Sequence, residues 1–80
     1  MRHPVLWYNV DMSQIGERAK RVRLAKGDTQ EGVARRAGIA LATYMRIESG
    51  RNQPTVDTLV KIAGALDVSV AELVGEEVAS

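Results

Sequence analysis

Residues 30–50 read QEGVARRAGIALATYMRIESG and predict two short helices joined by a tight turn. Two helices that meet at a steep angle through a three-residue turn need a small side chain where they touch and a glycine in the turn. Ala34 is the small residue, and Gly38 can take the left-handed conformation that often ends a helix. The apolar residues that this pair of helices must bury against its neighbours are Val33, Ala37, Ile39, Tyr44 and Ile47.

Capping residues and glycines outside this stretch predict further helices before and after it. We expect an all-α fold, a compact five-helix bundle with an extended N-terminal arm. On the fourth predicted helix, the residues that share one face are Val56, Leu59, Ile62, Ala63 and Leu66. In chain order, the expected helices are one after Ser13 that ends at Gly27, one after Thr29 that ends at Gly38, one from Leu41 to Ser49, one after Thr55, and a short one after Ser69 that ends at Gly75.

The composition bounds the size of the protein and excludes several kinds of site. The chain has 80 residues and a mass of 8.7 kDa, which is one small domain. Cysteine is absent, which excludes disulfides and thiolate metal sites, and the one histidine, His3, has no clustered partners. We therefore expect no enzyme, no metal and no cofactor. No apolar run comes near the ~20 residues of a membrane span and no signal peptide is recognisable, so we expect a cytoplasmic protein.

The charges are distributed unevenly along the chain. Residues 1–53 carry ten lysines and arginines against five acids, a net +5, whereas residues 54–80 carry one lysine against five acids, a net −4. These two contributions sum to the formal net charge of +1, which therefore does not show the uneven distribution. A protein polarised in this way can present a cationic face to a polyanion such as nucleic acid. The same pattern is also typical of solvated helix faces.

Residues 1–12 differ in composition from everything that follows. We predict an N-terminal arm over 1–12, one domain over 13–75 and a tail over 76–80. The segment Val5–Tyr8 favours an extended conformation. Three interpretations of the arm stay open: Trp7 covers one end of the helical core, the arm pairs with a second copy of the chain, or the segment is a poorly ordered leader.

Two surfaces are candidates for a homodimer contact. The arm has apolar groups on both faces of an extended segment, and one small domain can cover only one of those faces. Its candidate residues are Val5, Trp7 and Tyr8. The competing surface is on the C-terminal helix and consists of Val70, Val74 and Val78.

Two opposite charges fall at positions that face the core. Arg23 lies four residues after Ala19, on the inward stripe of the first helix. Glu48 lies four residues after Tyr44, on the inward stripe of the third helix. An unpaired buried charge costs several kcal/mol. We therefore expect Arg23 and Glu48 to form a structural ion pair.

Over residues 13–74 the sequence resembles the Cro/phage-repressor (XRE) family of helix-turn-helix DNA-binding domains. The family's Thr/Ser-Gln pair at the second helix appears as Thr29-Gln30, its Ile-Glu-x-Gly as residues 47–50, and its following proline as Pro54. The resemblance implies a bundle of the phage-repressor DNA-binding type, with the helix-turn-helix at about 30–49. It also implies no catalysis and no cofactor.

The same resemblance assigns residues to DNA contact. It implies that the third helix lies in the major groove of double-stranded DNA, with its N-terminal residues nearest the base edges. The apolar Leu41 and Ala42 can contact a thymine methyl group but cannot hydrogen-bond to guanine or cytosine. The residues assigned to DNA are Gln30, Leu41, Ala42, Thr43, Arg46, Arg51 and Asn52, of which Thr43 and Arg46 are the main polar readers of bases.

We expect a sequence-specific transcriptional regulator that binds a two-fold symmetric operator as a homodimer. One small domain offers few base contacts, and specific dimers bind two half-sites about 34 Å apart. The alternative is an antitoxin-type or other protein-interaction module with the same fold, which uses the hydrophobic arm to bind a protein partner. The two functions can coexist in one protein.

Overall fold

The computed structural model describes residues 14–75, which form five α-helices and no strand. The prediction of an all-α, five-helix fold is confirmed. The predicted arm, the Ser13 cap and the predicted tail over 76–80 lie outside the described residues. Within residues 14–75, no helix has the length and apolar character needed to cross a membrane. The helices, in chain order, are α1 (Ile15–Ala25), α2 (Gln30–Ala37), α3 (Leu41–Glu48), α4 (Val56–Leu66) and α5 (Val70–Val74).

Hydroxyl side chains cap the N-termini of α2, α4 and α5, as the sequence predicts. Thr29, Thr55 and Ser69 each accept a hydrogen bond from the backbone N–H three residues further on, at 2.9, 3.1 and 3.1 Å. Each bond satisfies one of the backbone donors that a helix leaves free at its N-terminus. α1 and α3 begin after Gln14 and Ala40 without a side-chain cap. The stability of these two helices therefore depends more heavily on packing.

The turn between α2 and α3 has the predicted conformation. Gly38 has a φ of 73°, in the left-handed region that glycine adopts at least cost. Its N–H donates to the Arg35 carbonyl at 3.1 Å, and the Ile39 N–H donates to the Ala34 carbonyl at 3.0 Å. These two bonds close the C-terminus of α2 and direct the chain into α3. Ala34 itself is buried in the core.

α4 presents the predicted core face with one exception. Val56 has the helical spacing of this face, as predicted, but it is 74% exposed and is not part of the core. At 100° per residue, Val56 lies about 70° from the centre of the buried stripe, and it stands in the first turn of the helix, where little covers it. The α4 residues that are buried are Leu59, Ile62, Ala63 and Leu66.

α1 lies directly against the last turn of α3 at Gly16. A Cβ placed on Gly16 would overlap the Ile47 carbonyl oxygen and stand 2.9 Å from the Glu48 carbonyl oxygen. Only a residue without a side chain permits this approach, because backbone atoms cannot yield as the end of a flexible side chain can. Gly16 is therefore a packing residue that the sequence analysis did not identify.

A buried ion pair joins α1 to α3. Arg23 and Glu48 are 8% and 9% exposed. The Arg23 guanidinium donates from Nε to Glu48 Oε2 at 2.7 Å and from Nη2 to Glu48 Oε1 at 3.0 Å. Two parallel N–H···O bonds of this kind are the strongest geometry for an arginine–carboxylate pair. The structure thus brings together the two charges that the sequence analysis paired.

Neighbouring groups extend the ion pair into a network. Arg23 Nη1 donates to the Asp28 carbonyl at 3.2 Å, in the loop between α1 and α2. Gln30 Nε2, at the start of α2, donates to Glu48 Oε1 at 2.9 Å. Buried charges are tolerated when such additional bonds satisfy their remaining donors and acceptors. The network connects α1, the following loop, α2 and α3 through one carboxylate and one guanidinium.

The network also determines which groups are charged. Burial disfavours the charged form of Glu48, but hydrogen bonds led by the one from Arg23 outweigh it and hold the pKa of Glu48 below its ordinary value. The bond to Glu48 raises the pKa of Arg23. The Tyr44 hydroxyl is buried and does not reach hydrogen-bond geometry with any described residue. Burial, together with the Glu48 carboxylate, raises the pKa of Tyr44. At neutral pH the pair is therefore charged and the tyrosine neutral.

Removal of one partner tests the contribution of the buried pair. We expect Glu48→Ala to lower the free energy of unfolding by ~3–5 kcal/mol, because it leaves the Arg23 guanidinium buried and unpaired. Arg23→Met combined with Glu48→Leu should recover much of that loss, since apolar side chains then replace both charges. Glu17→Ala is the control, because it removes an exposed pair with Arg21 at 3.5 Å, of a kind worth ~0.3–0.5 kcal/mol. Urea unfolding measures all four proteins, and a Glu48→Ala variant as stable as the parent would contradict the expectation.

A methyl group added at Gly16 tests the close approach of α1 to α3. We expect Gly16→Ala to lower the free energy of unfolding by ~1–3 kcal/mol or more, because the new Cβ overlaps backbone atoms of α3. Gly64→Ala is the matched control, since nothing lies within 4 Å of a Cβ at this position in α4. Its better helix propensity should raise stability by ~0.5–1 kcal/mol. Thermal unfolding compares the two variants, which should shift in opposite directions.

We expect low pH to lower the free energy of unfolding, because it protonates the Glu48 carboxylate. Folding lowers the pKa of this carboxyl, so the unfolded chain binds the proton more tightly. The stability that charged Glu48 contributes is complete above its unfolded pKa of about 4.3 and is lost as the pH falls through the folded value. We expect the free energy of unfolding to decrease below about pH 5 in the parent, and less steeply in Glu48→Gln. Urea unfolding at a series of pH values measures both slopes, and identical slopes would refute the role given to Glu48.

Candidate nucleic-acid interface

α3 has one face packed in the bundle and one face free. Its buried residues are Tyr44, Ile47 and Glu48, so Tyr44 lies in the core and has no free ring face for stacking on a base. The residues on the opposite face recur at intervals of three and four positions, the spacing of one helical stripe. We name this face the outward stripe, and its exposed residues are Ala42, Met45, Arg46 and Ser49.

The outward stripe lines an open groove of about 350 Å³, and Arg51 lines it as well. The chain after α3 folds back on the end of the helix. The N–H groups of Arg51 and Asn52 both donate to the Arg46 carbonyl, at 2.8 and 3.2 Å. The Ser49 hydroxyl donates to the same carbonyl at 3.0 Å. These bonds hold Arg51 and Asn52, both exposed, beside the outward stripe.

The four residues of α3 that were predicted to contact bases differ in their exposure. Ala42 and Arg46 are exposed and line the groove. Leu41 is half-buried and packs against the core, so it offers less surface to a ligand than the sequence analysis assumed. Thr43 is also half-buried. Both lie beside the outward stripe because their positions on the helix fall between its inward and outward faces.

Met45 lies on the outward stripe and was missed by the sequence analysis. It is 45% exposed and lines the groove beside Arg46. The signal that could have found it is helical spacing, because Met45 follows Ala42 by three residues on the same face. Methionine is more often buried than exposed in folded proteins. The residue type therefore gave no reason to place Met45 on the exposed face of the helix.

Gln30 braces the helices from the side of α2. Its amide group donates to the Glu48 carboxylate and so faces the buried ion pair. Thr29 caps the same helix start by accepting a hydrogen bond from the Gly32 N–H at 2.9 Å. Gln30, which the family resemblance assigned to DNA contact, therefore also links α2 to α3 through its bond to Glu48.

The cations of the first three helices are not equally available to an anion. Arg36 donates to the Ala65 carbonyl from Nη2 at 2.9 Å and from Nε at 3.2 Å, and it also pairs with Asp28. The hydrogen bond from Arg36 lowers the pKa of Asp28. Arg36 thus ties α2 to α4. Within residues 14–75, Arg46 and Arg51 form no ion pair, which leaves their guanidinium groups free beside the groove.

Of the proposed dimer contacts, the structure describes Val74 and Val70. Val74 is 8% exposed and belongs to the hydrophobic core, so it has little surface to offer a second copy. The reason is that α5 has only five residues and buries both Leu73 and Val74 against the bundle. Val70 is half-buried against the same core. The other candidates lie outside the described residues, namely Val5, Trp7, Tyr8 and Val78.

Comparison with known proteins identifies relatives that match most of this chain. A family model described as "Helix-turn-helix" matches residues 20–73. The chain is 45% identical over 62 residues to the cryptic phage CTXphi transcriptional repressor RstR of Vibrio cholerae serotype O1, covering 78% of this chain and 55% of the relative. It is 36% identical over 63 residues to the immunity repressor protein of Bacillus phage phi105, covering 79% of this chain and 44% of the relative. The chain therefore spans about half the length of these curated relatives.

A solved structure with the same arrangement of helices is the restriction-modification controller protein C.AhdI from Aeromonas hydrophila. It superposes with a TM-score of 0.74 and 32% identity, and the match covers 79% of this chain and 96% of that one. The family match takes in most of the chain, including the whole helix-turn-helix and the outward stripe. This chain belongs to the helix-turn-helix family of transcriptional regulators, of the XRE type.

Proposed function

We propose that this protein regulates transcription by binding a specific sequence of double-stranded DNA, with α3 in the major groove. The observation that carries the proposal is the outward stripe. Its residues are exposed, and its one arginine is not engaged by any described carboxylate. The buried network behind α3 holds the helix in a fixed orientation, which is what a rigid reading element needs.

In this proposal the residues around the groove have different roles. Arg46 forms two hydrogen bonds to the major-groove edge of a guanine, the commonest specific contact of arginine with DNA. Arg51 and Asn52 contact phosphates from the loop after α3. Gln30, at the start of α2, donates one hydrogen of its amide nitrogen to Glu48 and the other to a phosphate. Phosphate contacts position the protein on the duplex, whereas base contacts carry the sequence preference.

The proposed active form is a homodimer on a two-fold symmetric operator. α3 has eight residues, which is about 12 Å of helix, so one copy reaches only a few base pairs. Two copies related by a two-fold axis read two half-sites about 34 Å apart and double the number of contacts. The N-terminal residues Val5, Trp7 and Tyr8 are the proposed contact between the copies, because one small domain cannot cover both apolar faces of an extended segment. Burial of Val74 also leaves the competing C-terminal surface with less apolar area.

Selection of bound duplexes from a random pool, followed by gel retardation at several salt concentrations, tests the proposed function. We expect one preferred palindromic site, two chains per bound duplex, and an affinity that falls as salt rises. A chain that binds no duplex at low salt would refute the proposal and favour the protein-interaction module.

Two arginine variants distinguish base reading from phosphate contact. Arg46→Ala should lower the affinity for the selected site by ~1–3 kcal/mol and remove much of the preference for it. Arg51→Ala should weaken binding to all duplexes nearly equally and reduce the salt slope by about one. Lys61→Ala is the charge control, because it removes a cation that pairs with Asp57 on α4 at 3.2 Å. An Arg46→Ala variant with unchanged site preference would show that α3 is not the reading helix.

A further inference from the structure

The outward stripe includes apolar side chains that take no part in the proposed contact between Arg46 and guanine. Met45 and Ala42 line the same groove as Arg46. Met45 is 45% exposed and does not belong to the hydrophobic core, so much of its side chain is available to a ligand. Methionine is flexible and polarisable and is used widely on binding surfaces that must fit an irregular apolar contact.

We infer that Met45 recognises the C5-methyl group of a thymine adjacent to the guanine contacted by Arg46, an inference that rests on the proposed DNA binding. The thymine methyl is the one apolar group that the base pairs present in the major groove. Met45 and Arg46 are consecutive on the helix, and 1.5 Å separates them along its axis. Their side chains therefore reach the same base pair or neighbouring ones.

The other apolar residues of α3 are less suited to this contact. Leu41 packs against the core, which holds part of its side chain away from the groove. Ala42 is exposed, but its side chain is a single methyl group and reaches a base edge only where the helix lies closest to it. Met45 is the longest apolar side chain that lines the groove. It is therefore the residue that determines preference for thymine over the other three bases.

Replacement of thymine by deoxyuridine tests this inference, because it removes the C5-methyl group and leaves base pairing unchanged. Each thymine of the selected site is replaced in turn, in both half-sites. Because replacement in both half-sites removes two methyl groups, we expect one symmetric position at which the parent loses roughly fourfold in affinity per half-site, or about sixteenfold for the dimer. Met45→Ala should lose a similar factor on the thymine duplex and should lose nothing further when that position carries deoxyuridine.

This pattern is the non-additivity that marks two groups in direct contact. Leu24→Ala is the control for loss of an exposed apolar side chain, since Leu24 is exposed on α1 and does not line the groove. It should keep the affinity of the parent and its sensitivity to deoxyuridine. Met45→Leu, which keeps a long apolar side chain, should retain most of the sensitivity that Met45→Ala loses.

Several results would overturn the inference. A parent that tolerates deoxyuridine at every position, a selected site without thymine, or equal sensitivity of the parent and Met45→Ala would each exclude a methyl contact by Met45. In all three cases salt-dependent binding to the selected site would still support the proposed function. A parent that binds no duplex would instead refute the proposed function, and the inference with it.

Discussion

The buried pair of Arg23 and Glu48 is the interaction on which the orientation of α3 depends. Neither charge can be left in the bundle without the other, and the two-bond geometry permits little rotation or sliding between their helices. Gln30 adds a bond from α2 to the same carboxylate. The Glu48 carboxylate, at the C-terminal end of α3, therefore joins α3 to both α1 and α2. These bonds are the reason for an ion pair at a position where an aliphatic residue would otherwise fit.

A second contact complements the pair at the same end of α3. Gly16 lies against the carbonyl oxygens of Ile47 and Glu48, while Arg23, about two helical turns further along α1, holds the Glu48 side chain. One contact involves backbone and the other a side chain, so together they fix both the distance of α3 from α1 and its rotation about its own axis. That rotation decides which residues of α3 face outward, and hence which side chains a ligand can meet.

Much of this organisation could be predicted from the sequence because it follows local rules. Caps at Thr29, Thr55 and Ser69 and the left-handed turn at Gly38 are short-range features, and the charge pair follows from helical spacing. The features that sequence reasoning missed depend on which surfaces meet in three dimensions. Val56 shares the spacing of a core residue but lies at an uncovered helix end, and the contact at Gly16 depends on backbone from a distant helix. At the candidate site, Ala42, Arg46 and Arg51 were predicted from the sequence and line the groove. The exposure of Met45 and the partial burial of Leu41 and Thr43 needed the structure.

The inward face of α3 contributes to the stability of the bundle, whereas its outward face is available to a ligand. Of the cations that make the first 53 residues strongly basic, Arg23 and Arg36 hold helices together through Glu48 and the Ala65 carbonyl, so net charge overstates the charge available to DNA. The side chains of the outward stripe are exposed and line the groove, whereas those of the inward face are buried. Substitution at Met45 or Arg46 changes an exposed side chain and should therefore cost little stability. Sequence preference in this fold can change through such positions while the network that orients the helix stays the same.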